Sequence, residues 1–301
     1  MNKRESLKIT LLSFILVFLA CKSENTTSPE IPDEKPISEI YTIPIVVHVL
    51  HLGEPIGEGT NLSDEQIESQ IRVINEDFRR KENTRGFNNH PDGADAQIEF
   101  ILAKKDPEGN KTNGIVRIDV LESGKPIQFH NFEYMASLSY WNPEHYLNVW
   151  TEPFADNLVG LILGQATGPK TDLPGSDYFL KGEPESREGI SINAAHFGES
   201  SIPSDYNLGR TLTHEIGHYL GVLHPWGTGK CATNDFCDDT PAVDKAVNPT
   251  CGEAAMTGNY MDYAKDKTMN IFTNDQVSRM RYVLENSPYR KSLLTSPGLT
   301  N

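Results

Sequence analysis

The chain has little cysteine. Four stand among 301 residues, too few for a disulfide-built scaffold, so a hydrophobic core must hold the fold. One is Cys21. The other three, Cys231, Cys237 and Cys251, are an odd number, so one stays outside any internal pair. Basic charge is short as well: 27 Lys and Arg face 42 Asp and Glu, a formal net charge of −15. Lys3, Arg4 and Lys8 against Glu5 give the first 20 residues +2, so the rest carries −17. That argues against a nucleic-acid partner, which needs a basic face. It suits an exported protein and leaves room for calcium sites. Long apolar runs and internal repeats are missing, so no transmembrane span is expected.

The N-terminus reads as a targeting segment, residues 1–20. Its basic residues precede an apolar run over 9–20 that is too short to cross a bilayer. The run ends Val17-Phe18-Leu19-Ala20-Cys21, which resembles a bacterial lipobox, although Phe18 departs from the usual residue there. On that reading the chain is cut before Cys21, which is lipidated and anchors the protein to a membrane surface. The alternative is an ordinary secretory signal. Residues 22–39 are polar and proline-rich, so 21–39 is expected to be a flexible tether. Residues 40–301 are then one domain of a size that a single α/β fold can fill.

Chemistry is concentrated at His214-Glu215-Ile216-Gly217-His218-Tyr219-Leu220-Gly221-Val222-Leu223-His224. This is H-E-x-x-H-x-x-G-x-x-H. Residues four apart share a helix face, so His214 and His218 can aim at one metal ion. Glu215 flanks that face. Gly221 lets the chain leave the helix, and the turn returns His224 as a third ligand. Three neutral nitrogens with one open position describe a catalytic zinc site, not a closed structural one. Residue frequencies give the whole pattern by accident in roughly one chain in 10⁴. The other histidines (48, 51, 90, 130, 145, 196) have no ligand spacing among themselves and read as structural or surface.

Around the motif, residues 43–50 read as a buried strand. Ser63-Asp64-Glu65-Gln66 reads as a capping box, and Ile67, Ile71, Ile74 and Phe78 set a helix over 64–80. Short strands are expected over 97–103, 115–120, 146–150 and 189–193. The motif helix is placed over 206–221, with Leu208, Leu212, Ile216, Tyr219 and Leu220 facing the core. An irregular stretch rich in Asp, Gly and Pro follows, then a terminal helix over 273–285.

Asn259-Tyr260-Met261-Asp262-Tyr263 resembles the Met-turn that follows the long zinc motif in the metzincin clan. The chain as a whole is similar to the pappalysin family of that clan, to which ulilysin belongs. The likeness runs through Ile43-Pro44-Ile45-Val46-Val47-His48-Val49, Asn75-Glu76-Asp77-Phe78-Arg79, Ala96-Gln97-Ile98-Glu99-Phe100, Gly114-Ile115-Val116-Arg117 and Leu147-Asn148-Val149-Trp150. It continues through the zinc motif, Asp239-Thr240-Pro241, the Met-turn, and Phe272-Thr273 with Gln276, Arg279 and Met280.

The resemblance implies an α/β (α+β) zincin, or metzincin, fold. Its upper lobe holds a twisted, mostly parallel mixed sheet with backing and active-site helices. Its irregular lower lobe follows His224 and ends in the C-terminal helix. It implies a zinc-dependent endopeptidase that binds peptides in extended form along an antiparallel edge strand, here expected at residues 191–196. Glu215 would be the general base acting on a zinc-activated water, and Tyr263 would stabilise the gem-diolate. It also implies a Cys231–Cys251 disulfide, with Cys237–Cys251 as the alternative, and a calcium loop using Asp235, Cys237 and Thr240. Many relatives carry a cysteine-bearing pro-segment over the metal; no cysteine lies in residues 22–39, so that switch is expected to be missing. A monomer is expected. A reading from another class, an inactive surface binding module stapled by zinc, differs in that chelation would unfold it.

Overall fold

Residues near Ile43 become the central strand of the molecule. The computed structural model describes residues 39–128, 130–153, 162–180, 187–227, 229, 231, 235–247, 251–252 and 254–300. The targeting segment, Cys21 and the tether up to residue 38 lie outside the described residues. Among the described residues no helix is long and apolar enough to cross a membrane.

Strand β1 (Tyr41–His51) pairs in parallel with β2 (Ile98–Leu102) through its first half and with β3 (Ile115–Asp119) through its second. On its other side it pairs with β4 (Leu147–Glu152), also in parallel. Then come β6 (Ile190–Asn193), parallel to β4, and β5 (Gly164–Ala166), antiparallel to β6 and at the margin. The sheet order is β2-β1-β4-β6-β5, with β3 beside β1. A strand this deep in a mostly parallel sheet is covered on both faces, which explains its apolar run, interrupted only by the buried, hydrogen-bonded His48.

Ile43, Ile45, Val47 and Val49 pack with α1 (Asp64–Phe78) and α3 (Arg210–Tyr219) through Ile67, Ile74, Phe78, Leu212 and Ile216. Each such fully buried side chain contributes about 1.5–3 kcal/mol. On the opposite face Leu50 and Trp150 meet Tyr134 and Met135 of α2 (Phe132–Leu138). The C-terminal helix α4 (Asn274–Asn286) starts in a full capping box between Thr273 and Gln276.

Three expectations need correction. The first helix ends at Phe78, not 80, because Arg80 takes a left-handed φ of 41°. The motif helix begins at Arg210, not 206: Gly209 has φ 82°, and the amide of Leu208 donates to Asp266 Oδ2 at 2.8 Å. Leu208 is therefore a loop residue whose i,i+4 spacing to Leu212 is incidental. Among the described residues the margin of the sheet is β5, not residues 191–196. Ser191 and Asn193 lie in β6, between β4 and β5, and His196 ends a 3-10 turn over Ala194–His196. Neither α2 nor β5 was anticipated.

Candidate active site

Helix α3 presents His214 and His218 one turn apart, and its end is built to recover a third imidazole. The amide of Val222 donates to the carbonyl of Gly217 at 2.9 Å, and that of Gly221 to His218 at 3.0 Å. This is a Schellman cap, which needs the left-handed residue that Gly221 supplies at φ 88°. The chain then doubles back and delivers His224. The three Nε2 atoms lie 3.1 Å (214–218), 3.2 Å (214–224) and 3.0 Å (218–224) apart. Tetrahedral zinc with bonds of about 2.0–2.1 Å places ligand nitrogens about 3.3 Å apart, so the triad fits a zinc ion.

The opposite ring nitrogens fix the tautomers. His214 Nδ1 donates to the carbonyl of Tyr260 at 2.7 Å and His218 Nδ1 to that of Val222 at 2.8 Å. Both Nε2 lone pairs therefore point into the site. Burial pushes His214 down to about 3 and His218 to about 4, and lowers His224 as well. Neutral imidazole is the form that binds metal.

Met261 lies directly beneath the helix. A side chain at Gly217 would put its Cβ 2.3 Å from Met261 Sδ, so the close approach requires glycine. The turn is pinned by a pair of amides: Asn259 Nδ2 donates to Gln276 Oε1 at 2.9 Å and Gln276 Nε2 to Asn259 Oδ1 at 3.1 Å. Asn259 Oδ1 also accepts the amide of Met261 at 2.9 Å.

Glu215 lines a cleft of about 600 Å³ together with the three histidines, Tyr263 and strand β5. Burial pushes its carboxyl up to about 8; the charge of a bound dication would act in the opposite direction. Gly164 of β5 stands against it: a Cβ there would lie 2.9 Å from Glu215 Cγ. Tyr263 is 52% exposed, its ring centroid 4.8 Å from that of His224 and 5.7 Å from that of His214. Trp226 stacks on His224 at 4.4 Å and meets Tyr263 edge-on at 4.9 Å. This aromatic brace was not anticipated.

The remaining sites lie in the lower lobe. Cys231 and Cys251 are joined by a disulfide with Cα atoms 5.5 Å apart, and Cys237 is buried outside it. Asp235 is fully buried. Its Oδ1 accepts the Thr240 hydroxyl at 2.7 Å and the Cys237 amide at 3.2 Å. Its Oδ2 has no hydrogen-bond partner among the described residues, and burial pushes the carboxyl up to about 7.

Sequence reasoning missed Asp266. It lies in the cleft lining, buried, with Oδ2 held by the amides of Leu208 and Arg210 and Oδ1 without a hydrogen-bond partner among the described residues. Its only sequence signal is its place three residues after Tyr263. Also missed was the ion pair that braces α3 against α1: Arg210 to Asp77 at 2.9 Å, with Thr213 donating to the same carboxylate at 2.7 Å.

Comparison with known proteins gives a consistent result. The profile of the Peptidase M43 family, described as pregnancy-associated plasma protein-A, matches residues 133–285. An extracellular metalloprotease of Arthroderma benhamiae is 28% identical over 269 residues, covering 85% of this chain and 82% of that protein. Extracellular metalloprotease 1 of Coccidioides posadasii is 30% identical over 236 residues, covering 73% and 68%. Among solved structures, mature mirolysin of Tannerella forsythia in complex with a cleaved peptide is 34% identical, with a TM-score of 0.66 over 85% of this chain and 96% of that one. Mirolysin in complex with compound 9 has a TM-score of 0.68 at the same identity and coverage.

Proposed function

The chain belongs to the pappalysin family of metalloendopeptidases, and on that premise we propose that it is an exported, zinc-dependent endopeptidase. The observation that carries this reading is the meeting of three Nε2 atoms within 3.2 Å beside Glu215, under an open sheet edge. His214, His218 and His224 would hold the metal, and zinc supplies Lewis acidity toward water and the scissile carbonyl when bound. Glu215 takes the water's proton and hands it to the leaving amine. The Tyr263 hydroxyl donates to the oxyanion that develops on the substrate. The peptide lies extended along β5, its main chain adding a strand to the sheet. That mirolysin has been solved with a cleaved peptide supports a peptide as the substrate.

Asp266 would take a basic side chain on the residue after the scissile bond. Its unpartnered Oδ1 in the cleft wall supports that assignment. Asp235, Thr240 and the Cys237 carbonyl are read as a calcium site. They gather oxygen donors in one loop, with the Thr240 hydroxyl 2.9 Å from that carbonyl, and Asp235 Oδ2 is left for a cation. Added calcium should raise the melting temperature; no shift removes that site.

Export accords with relatives named extracellular metalloproteases. Lipidation at Cys21 is the finer reading. Cys21→Ala should release the protein to the soluble fraction, and a mutant that stays with the membrane contradicts the anchor. The enzyme reading itself is tested by digesting a mixed peptide library with the parent and Glu215→Ala, measuring zinc in both. Cleavage by the parent alone, at equal zinc, is expected. Cleavage by both would sink the role of Glu215.

A further inference from the structure

The cleft has two chemically different ends, and the alternation of hydrogen bonds along β5 orders them. The amide of Asn193 donates to the carbonyl of Leu163 at 2.9 Å, and that of Thr167 to Gly189 at 3.0 Å. With the register Gly164↔Ile192, Gln165↔Ser191 and Ala166↔Ile190, residues 163, 165 and 167 bond inward to β6. Gly164 and Ala166 therefore turn their N–H and C=O outward, toward the cleft. Gly164 stands over Glu215, so the chemistry is centred there.

Leu163 marks the acidic end. Its partner Asn193 caps the turn to His196, whose Nδ1 bonds the carbonyl of Tyr206 at 2.8 Å, and two residues further Leu208 reaches Asp266. Beyond Ala166 the other end begins. The amide of Gly168 donates to the carbonyl of Leu180 at 2.8 Å. Phe179 fills the space a side chain at Gly168 would take, 2.2 Å from its Cβ position. Phe179 is buried, yet its neighbours Tyr178 and Leu180 are 56% and 49% exposed at the rim of the cleft. Leu223 completes this wall. None of these four residues carries charge.

We infer that this wall of Tyr178, Phe179, Leu180 and Leu223 is a specificity subsite for an apolar side chain on the substrate, preceding the scissile bond. The inference rests on the peptidase reading above. A peptide antiparallel to β5 meets Ala166 before Gly164, so residues preceding the scissile bond pass the apolar wall and those following it pass Asp266. Two large apolar side chains left half-open beside outward-facing backbone groups gain cover only when such a residue is present. The preferred substrate is then a segment with an apolar residue within the three positions before the cut and a basic residue after it.

The test uses the full-length chain and matched peptides carrying Leu or Ser at each of the three positions before the cut, each with Arg or Ala after it. The parent should prefer Leu at one position by about tenfold in kcat/KM, the size of discrimination an apolar pocket gives. A Tyr178→Ser, Leu180→Asp double variant should bring that ratio near one and leave the Arg/Ala ratio unchanged. Leu180→Met should keep the preference. Both substituted positions are half-exposed, so folding is expected to survive and is checked by the melting temperature. Equal rates for Leu and Ser at all three positions in the parent overturn the subsite, as does a preference that survives in the double variant. A zinc-loaded parent that cleaves no peptide removes the peptidase reading itself, and the subsite with it.

Discussion

The two lobes around the cleft are held together by different means. Above it, apolar side chains of a mostly parallel sheet interlock with α1 and α3 on one face and with α2 on the other, and Asp77–Arg210 is a buried brace between α1 and α3. Below it, regular structure is scarce until α4. Tyr260, Met261, Met269 and Phe272 join the same core, and the loops are fixed besides by single polar contacts and a disulfide: Arg279 Nε to the carbonyl of Gly221 at 3.1 Å, the Asn259–Gln276 amide pair, and Cys231–Cys251. The three histidines are divided accordingly, His214 and His218 from a helix and His224 from the loop beyond its cap. The comparison teaches that the upper lobe positions by packing, which tolerates exchange of apolar side chains. The lower-lobe loops are positioned in addition by particular atoms, which do not.

Breaking the upper brace should give the largest effect. Asp77→Ala removes the ion-pair partner of the buried Arg210, a loss of about 3–5 kcal/mol, read as a lower urea midpoint. A loss under 1 kcal/mol would mean the two helices are joined by packing alone.

A second test in the upper lobe concerns Glu152, buried at the end of β4, where it accepts the Ser191 hydroxyl and the His130 amide. Burial pushes this carboxyl up to about 7 from an ordinary 4.5. Between those values the folded state holds the proton more tightly than the unfolded chain, so stability falls as pH rises through the window. Compared with Glu152→Gln, the parent should lose up to about 3 kcal/mol between pH 4.5 and 7. A pH-independent difference between the two contradicts this.

In the lower lobe, Cys231→Ser with Cys251→Ser opens a loop spanning 20 residues, worth up to about 3 kcal/mol. Amide exchange should quicken around Asp235 and Val243 while β1, β4 and β6 keep their protection; uniform loss of protection would show that the lobes unfold as one unit. Tyr263→Phe is expected to leave stability unchanged, because the side chain is half-exposed. It should lower kcat by about a hundredfold, the effect of losing one oxyanion donor. An unchanged kcat would return Tyr263 to a packing role beside Trp226.

The same contrast explains what could be read in the sequence. His214, His218 and His224 were legible because helix geometry and a glycine cap fix their spacing. Strand β1 and helix α1 were legible through apolar runs and periodicity. The Cys231–Cys251 disulfide followed from family likeness, not from spacing. β5 escaped because Gly164, Gln165 and Ala166 carry no alternation, and family likeness placed the edge at residues 191–196 instead. Leu208 misled because its spacing to Leu212 mimics a helix face while Gly209 turns the chain away. Asp77, Glu152 and Asp266 look like solvated acids in sequence. Only their tertiary partners, Arg210, Ser191 and the Leu208 amide, reveal them as buried.

The most direct test of the central claim, an open three-histidine metal site assembled from both sides of a helix cap, is zinc-edge X-ray absorption on the purified protein. The account expects one zinc per chain with three nitrogen scatterers at about 2.0–2.1 Å, a further light oxygen scatterer and no sulfur. A sulfur scatterer near 2.3 Å, or a fourth protein ligand closing the shell, would contradict it.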